Sequence, residues 1–251
     1  MRIWIFFLAT VIAGAVHAET ETIDLKALAK KARPAVMLLV VSDATGKEIA
    51  TGTGFLVSSD GKLITSHHVI QNAASAVAKA ENGGLFPVEG VLADDPKNDL
   101  VLLKLKGKDL PLLTLGKAEK IEVGTRIAVI GSPLGLEGTL SEGIVSAMPE
   151  DEKEGKLVQI TAAISPDSSG SPMLNAKGNV IGVAAALLRG GQALNFAVPI
   201  GVANSLLATA SKSTKVQPLH ELANSEDAFY SDWLKVMGAK VPKGSSSPNR
   251  S

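Results

Sequence analysis

An all-β fold of two small antiparallel barrels, with short helices near the two ends, is predicted by three observations. First, short β-rich apolar runs crowd the chain between Ala35 and Pro199: "AVMLLVVS", "GTGFLVSS", "GKLITS", "LVLLKL", "RIAVIG", "GIVSAM", "KLVQITA", "NVIGVAAAL" and "LNFAVP". Second, turn signals such as Ser59-Asp60-Gly61 and Ala176-Lys177-Gly178-Asn179 separate them. Third, the clear helical spacing lies outside this region. Many short strands at close spacing argue for barrels or sandwiches rather than a parallel sheet covered by helices. The runs divide into barrels at 35–115 and 116–205, with the boundary near "KGKDLPLLTLGKAEKIEVG". No repeat of solenoid type is visible.

The elements follow in order. Residues 1–18 read as a secretory signal: Arg2 precedes an apolar run from Ile3 to Val16, and Val16-His17-Ala18 offers a cleavage site before the polar Glu19. The run is shorter than a comfortable membrane span, so an uncleaved anchor is the weaker reading. Cleavage after Ala18 would give a periplasmic or secreted product with no stable membrane association. From Ile23 to Arg33, Leu25, Leu28 and Ala29 share one helical stripe, and Pro34 ends it. The barrel domain then runs within 19–210. The polar "EDEKEG" (Glu150 to Gly155) reads as a solvated hairpin tip.

A helix-like segment follows Pro199, and 211–251 form a tail with a disordered Ser/Pro-rich end. Within the tail, Ser225 suits a helix N-cap, and Phe229, Trp233, Val236 and Met237 make one apolar face before Gly238. A lone helix of this length is marginal in water, so its face is expected to dock, most simply on the second barrel.

Composition narrows the function. Hydrophobic residues make up 45% and charged residues 20%, a globular balance that argues against disorder. Lys and Arg together equal Asp and Glu at 25 each, so nucleic-acid binding has no electrostatic support. With no Cys, an exported chain must be stabilised by its core rather than by disulfides, and it has no site for a lipoprotein anchor.

The stretch "ISPDSSGSP", Ile164 to Pro172, is either a plain loop or a rigid turn that presents a serine. A nucleophilic serine needs a base in reach and a third group to orient that base. His17 would leave with the signal and His220 lies in the tail, which leaves His67 and His68 in "LITSHHVI". For the third group, "ADDPKNDLVLLKL" offers Asp94, Asp95 and Asp99. The first two precede Pro96 and look like turn formers. Asp99 stands against the apolar run Leu100 to Leu103, where a carboxylate needs a partner. A metal site has little support, because no ligand set at suitable spacing accompanies the histidines. Pattern alone chooses neither histidine.

Five ordered blocks, "TGTGFLVSSDGKLITSHHVI", "DPKNDLVLLKL", "IGSPLGLEGTLSEGIVSA", "AAISPDSSGSPMLNAKGNVIGV" and "LNFAVP", resemble the HtrA/Deg-like branch of the trypsin-like serine proteases. The resemblance runs from Thr51 to Pro199. It implies two β-barrels with the site between them, and a triad of His68, Asp99 and Ser169. It implies an oxyanion hole from the backbone around Asp167, Ser168 and Ser169. It also implies a specificity pocket that includes Ala163, Ile164 and Asn195, and no metal or cofactor. The partners implied are polypeptide substrates, unfolded or misfolded chains in particular. Related enzymes often form trimers, which leaves an oligomer open.

Departures from the family pattern carry further expectations. Asp167 stands where the family has Gly, so its carboxylate is expected to disfavour an oxyanion, and Asp167→Gly to raise kcat. This residue supports the alternative of a weak or inactive protease-like binding protein or holdase. Ser168 replaces an Asp of the digestive enzymes, and the chain has no Ile-Val-Gly-Gly start, so zymogen activation of that type is not expected. Ala163, six residues before Ser169, gives an apolar pocket base suited to small aliphatic residues. The stretch after "SKSTK" is too short for a PDZ domain. An esterase of another fold lacks its Gly-x-Ser-x-Gly elbow here.

Overall fold

The computed structural model describes residues 23–117, 121–132, 138–148, 157–187, 195–211 and 215–221. The signal segment, "EDEKEG" and the tail helix from Ser225 lie outside them.

Six strands close the first barrel: β1 (Val36–Ser42), β2 (Glu48–Leu56), β3 (Lys62–Ser66), β4 (Ser75–Ala80), β5 (Leu85–Asp95) and β6 (Leu100–Leu105). Six more close the second: β7 (Arg126–Gly131), β8 (Thr139–Ala147), β9 (Val158–Ile160), β10 (Pro172–Leu174), β11 (Val180–Leu187) and β12 (Asn195–Pro199). Every pairing between these twelve strands is antiparallel. The order around the first barrel is β1-β2-β3-β6-β5-β4, and around the second β10-β11-β12-β9-β8-β7. The two-barrel, all-β expectation therefore holds. Closure leaves neither barrel with an open edge.

Alternation along the strands explains how the barrels join. In β7, Ile127 and Val129 pack inside the second barrel, while Ala128 and Ile130 belong to the cluster that continues into the first. In β12, Ala197 packs inside the second barrel while Phe196 and Val198 belong to that larger shared cluster. Side chains alternate between faces with a period of two, so a strand buried on both faces must read as a continuous apolar run. That is why "RIAVIG" and "LNFAVP" stand out in the sequence.

Two helices frame the barrels. In α1 (Leu25–Ala32), the Asp24 carboxylate accepts the Ala27 N–H at 3.0 Å, and Leu28 is buried. The helix was expected to reach Arg33. It stops one residue earlier, because Arg33–Ala35 tighten into a 3₁₀ turn. Pro34 sits in the first positions of that turn, where a missing N–H costs no bond. In α2 (Ile200–Ala210), Ile200, Ala203, Leu206 and Ala210 are buried at helical spacing. Beyond it, Gln217 exchanges two backbone hydrogen bonds of 2.8 Å with Val91 of β5, and Leu219 is buried. The start of the tail is thus anchored on the first barrel.

Candidate active site

The strand β3 ends at Ser66, and His67–Ile70 form a 3₁₀ turn whose Val69 and Ile70 are buried in the core. Those two apolar residues pin the turn, and the two histidines then take different surroundings. His67 is buried, with Nδ1 at 2.7 Å from Asp94 Oδ1. His68 Nδ1 lies 2.7 Å from Asp99 Oδ2, and the His68 N–H donates to Asp99 Oδ1 at 2.9 Å. The His68 side chain is 41% exposed and that of Asp99 only 3%, so the open part of the ring lies away from the carboxylate.

Asp99 reaches this position through its backbone. It adopts the left-handed conformation (φ 52, ψ 40) that ends the 3₁₀ turn Pro96–Asn98, a conformation Asp tolerates better than most residues. Its carbonyl accepts the His67 N–H at 3.1 Å. Asp99 therefore holds the histidine turn through both main chain and side chain. Asp95 does form a turn, accepting the Asn98 N–H and side-chain amide. Asp94 does not: it lies in β5 opposite Val101 and pairs with His67.

Electrostatics follow from this geometry. Desolvation of the His68 ring is the largest single influence and disfavours the imidazolium. The Asp99 charge and its hydrogen bond act the other way and together outweigh it, so the pKa of His68 is raised above its ordinary 6.5.

Ser169 comes from the second barrel. After β9 the chain runs to a 3₁₀ turn at Pro166–Ser168, closed by Ser168 N–H donating to Ser165 O at 2.9 Å. The Ser165 and Ser168 hydroxyls are 2.8 Å apart and brace it. Gly170 N–H donates to Ala184 O at 2.8 Å, and Thr53 N–H of β2 donates to Ser169 O at 2.9 Å. Gly170 has φ +87, and a Cβ there would lie 2.1 Å from Thr53 O and 3.0 Å from Ser66 N. This close approach sets the Ser169 turn against the end of β3, two residues before His68. Gly170→Ala should therefore destabilise the protein by at least about 1–2 kcal/mol from the backbone angle alone, with the clash in addition. Urea unfolding of the purified variant measures this, and wild-type stability would refute the tight fit.

Asp167 differs from its sequence-based expectation. It is absent from the residues with positive φ, so this turn does not demand glycine there. Its carboxylate accepts the Thr51 hydroxyl at 2.7 Å, and its carbonyl accepts the Thr53 hydroxyl at 2.8 Å. The carboxylate is engaged rather than free, which removes the basis for expecting Asp167→Gly to raise kcat. Ser168 N–H is committed to Ser165 O, which takes it out of the expected set of oxyanion donors.

Of the expected pocket residues, Ala163 is exposed, and its carbonyl accepts the Ser141 hydroxyl at 2.8 Å. Ile164 turns into the interior cluster of the second barrel. Asn195 is buried and donates from Nδ2 to Ala162 O at 2.7 Å. Ala163 is thus the one most open to a substrate side chain. No group of three or more His, Cys, Asp or Glu suited to a metal occurs among the described residues.

A trypsin-like peptidase domain family model matches residues 52–183. A putative serine protease HhoB from Synechocystis sp. is 36% identical over 168 residues, covering 64% of this chain and 40% of that protein. A probable periplasmic serine endoprotease, DegP-like, from Chlamydia pneumoniae is also 36% identical over 168 residues, covering 64% and 34%. The solved structure of the HtrA-type protease AlgW with a tripeptide superposes with a TM-score of 0.66 at 30% identity, covering 73% of this chain and 62% of that one. The chain belongs to the trypsin-like peptidase family, in its HtrA/Deg-like branch. It spans between a third and two-fifths of the length of those two curated relatives.

Proposed function

We propose that the protein is an exported serine endopeptidase that cleaves unfolded or misfolded polypeptides, with Ser169 as nucleophile, His68 as base and Asp99 as its orienting group. The observation that carries this reading is the two-point Asp99–His68 pair beside a Ser169 turn held by Thr53. In the reaction, Ser169 Oγ attacks the scissile carbonyl carbon while His68 Nε2 takes its proton. The N–H groups of Asp167 and Ser169 stabilise the oxyanion. His68 then gives the proton to the leaving amine, and water releases the acyl group by the same steps in reverse. Neither metal nor cofactor has a role in this chemistry. Periplasmic or secreted location rests on the signal-like first 18 residues and on relatives named periplasmic.

Ala163 offers no charge to pair with a buried cation, which supports small aliphatic residues before the scissile bond. Peptides with Val, Ala or Ile there should exceed those with Arg or Lys by at least about 10-fold in kcat/KM, because an unpaired buried cation is costly. A library profile led by basic residues would overturn the pocket assignment. The activity itself is tested by fluorophosphonate labelling and casein cleavage, each with Ser169→Ala as control. Labelling and cleavage by wild type alone are expected. A wild type that neither takes label nor cleaves would favour the holdase reading.

A further inference from the structure

We propose that Thr51 is a positioning residue for the oxyanion hole: it tethers the Asp167 carboxylate and so holds the Asp167 amide in register for the developing charge. This rests on the reading of Ser169 as nucleophile.

Thr51 and Thr53 are two apart in β2 and so project to the same side of the strand. Both side chains grip one residue of the second barrel. The Thr51 hydroxyl donates to Asp167 Oδ1 at 2.7 Å. The Thr53 hydroxyl donates to the Asp167 carbonyl at 2.8 Å and accepts the Ser132 N–H at 3.1 Å. The following peptide is tied as well, since Ser168 N–H donates to Ser165 O. Asp167 is therefore held at its side chain, its carbonyl and the next amide. Both Thr51 and Asp167 are half-buried, so their bond is partly shielded from competing water.

The tether matters because of charge. A carboxylate at this position would oppose an oxyanion if it swung toward its own amide, and preorganised donors work only when they need not reorient during the reaction. A threonine hydroxyl bonded to the carboxylate serves both needs at once. It keeps the negative charge on the β2 side and fixes the residue that presents the amide. A glycine at 167 would need no such partner, and a free aspartate would be harmful. The pair thus explains how this turn accommodates Asp167.

The test uses the full chain and compares Thr51→Val, which keeps shape and removes the hydroxyl, with Thr51→Ser, which keeps it. Thr51→Val should lower kcat and the fluorophosphonate labelling rate by about 10-fold or more, the worth of one hydrogen bond to a charged group. KM should change little, because the loss falls on the transition state. Thr51→Ser should stay within about threefold of wild type. In an Asp167→Ala background, Thr51→Val should add no further loss, because contacting residues couple. Equal losses in the Val and Ser variants, a loss that persists without Asp167, or a Val variant labelled at the wild-type rate would each overturn the tether alone. A wild type that takes no label would overturn the nucleophile reading and the tether with it.

Discussion

His68→Ala should lower kcat by about 10⁶-fold, the usual loss when the base of such a triad is removed. His67→Ala should leave kcat within a few-fold. The two histidines are adjacent in sequence, yet the 3₁₀ turn sends them to different carboxylates. His68 pairs with Asp99 and keeps part of its ring open, whereas His67 is buried against Asp94. A base must reach both nucleophile and leaving group, and a ring buried in the first barrel reaches neither. Losing His67 has a different cost. It leaves the partly buried Asp94 carboxylate without this bond, which should reduce stability by about 1–3 kcal/mol. Hydrolysis of a casein substrate and urea unfolding, measured on both variants, separate the two roles. Comparable losses of kcat in both, with both folded by circular dichroism, would overturn the assignment of His68.

The pattern of apolar runs disclosed the fold because most of the strands are buried on one or both faces. The strands it missed are the ones that lack this signal. In β4, "SAVAKA" alternates buried Ala76, Ala78 and Ala80 with the partly exposed Val77 and Lys79, and alanine is a weak strand former. In β5, Pro87, Glu89 and Gly90 interrupt the hydrophobic run, and the register shifts twice against β6. With only three residues, β10 is too short for any periodicity. The run "GTGFLVSS" located β2 but not its start, because the strand opens at Glu48, which is polar and exposed.

The candidate site divides in the same way. Ser169, His68 and Asp99 were legible as a set through the family resemblance, since local pattern could not choose between the histidines. The pairing of His67 with Asp94 depends on β5 and β3 both flanking β6, which no local spacing encodes. The Thr51–Asp167 bond joins residues 116 apart in sequence and on different barrels. A hydroxyl on a strand gives no sign of which carboxylate it will meet. The sequence could therefore raise the problem of a carboxylate beside the proposed oxyanion hole, and the packing of the two barrels brings the Thr51 hydroxyl to it.

Asp99→Asn should reduce kcat by about 10⁴-fold while leaving the fold intact. The carboxylate accepts from His68 at both Nδ1 and the backbone N–H, so it fixes ring orientation and places the proton on Nδ1. An amide that turns its NH₂ toward Nδ1 favours the opposite tautomer, with the proton on Nε2. That ring cannot accept a proton from Ser169. The pH profile provides a second, independent reading. In the wild type the pKa of His68 is raised above 6.5, because the charge and hydrogen bond of Asp99 outweigh desolvation. The base works only when neutral, so the acid limb of kcat/KM should lie above pH 6.5, with activity rising as pH climbs through it. The stability contributed by the charged pair has the opposite sense: it is fully present below the unfolded value and is lost as pH rises through the folded one. Removing the Asp99 charge leaves desolvation in control, so the residual activity of Asp99→Asn should show its acid limb below pH 6.5. A limb that stays in place, or moves to higher pH, would mean that another group governs the profile and that Asp99 is not the partner that tunes His68.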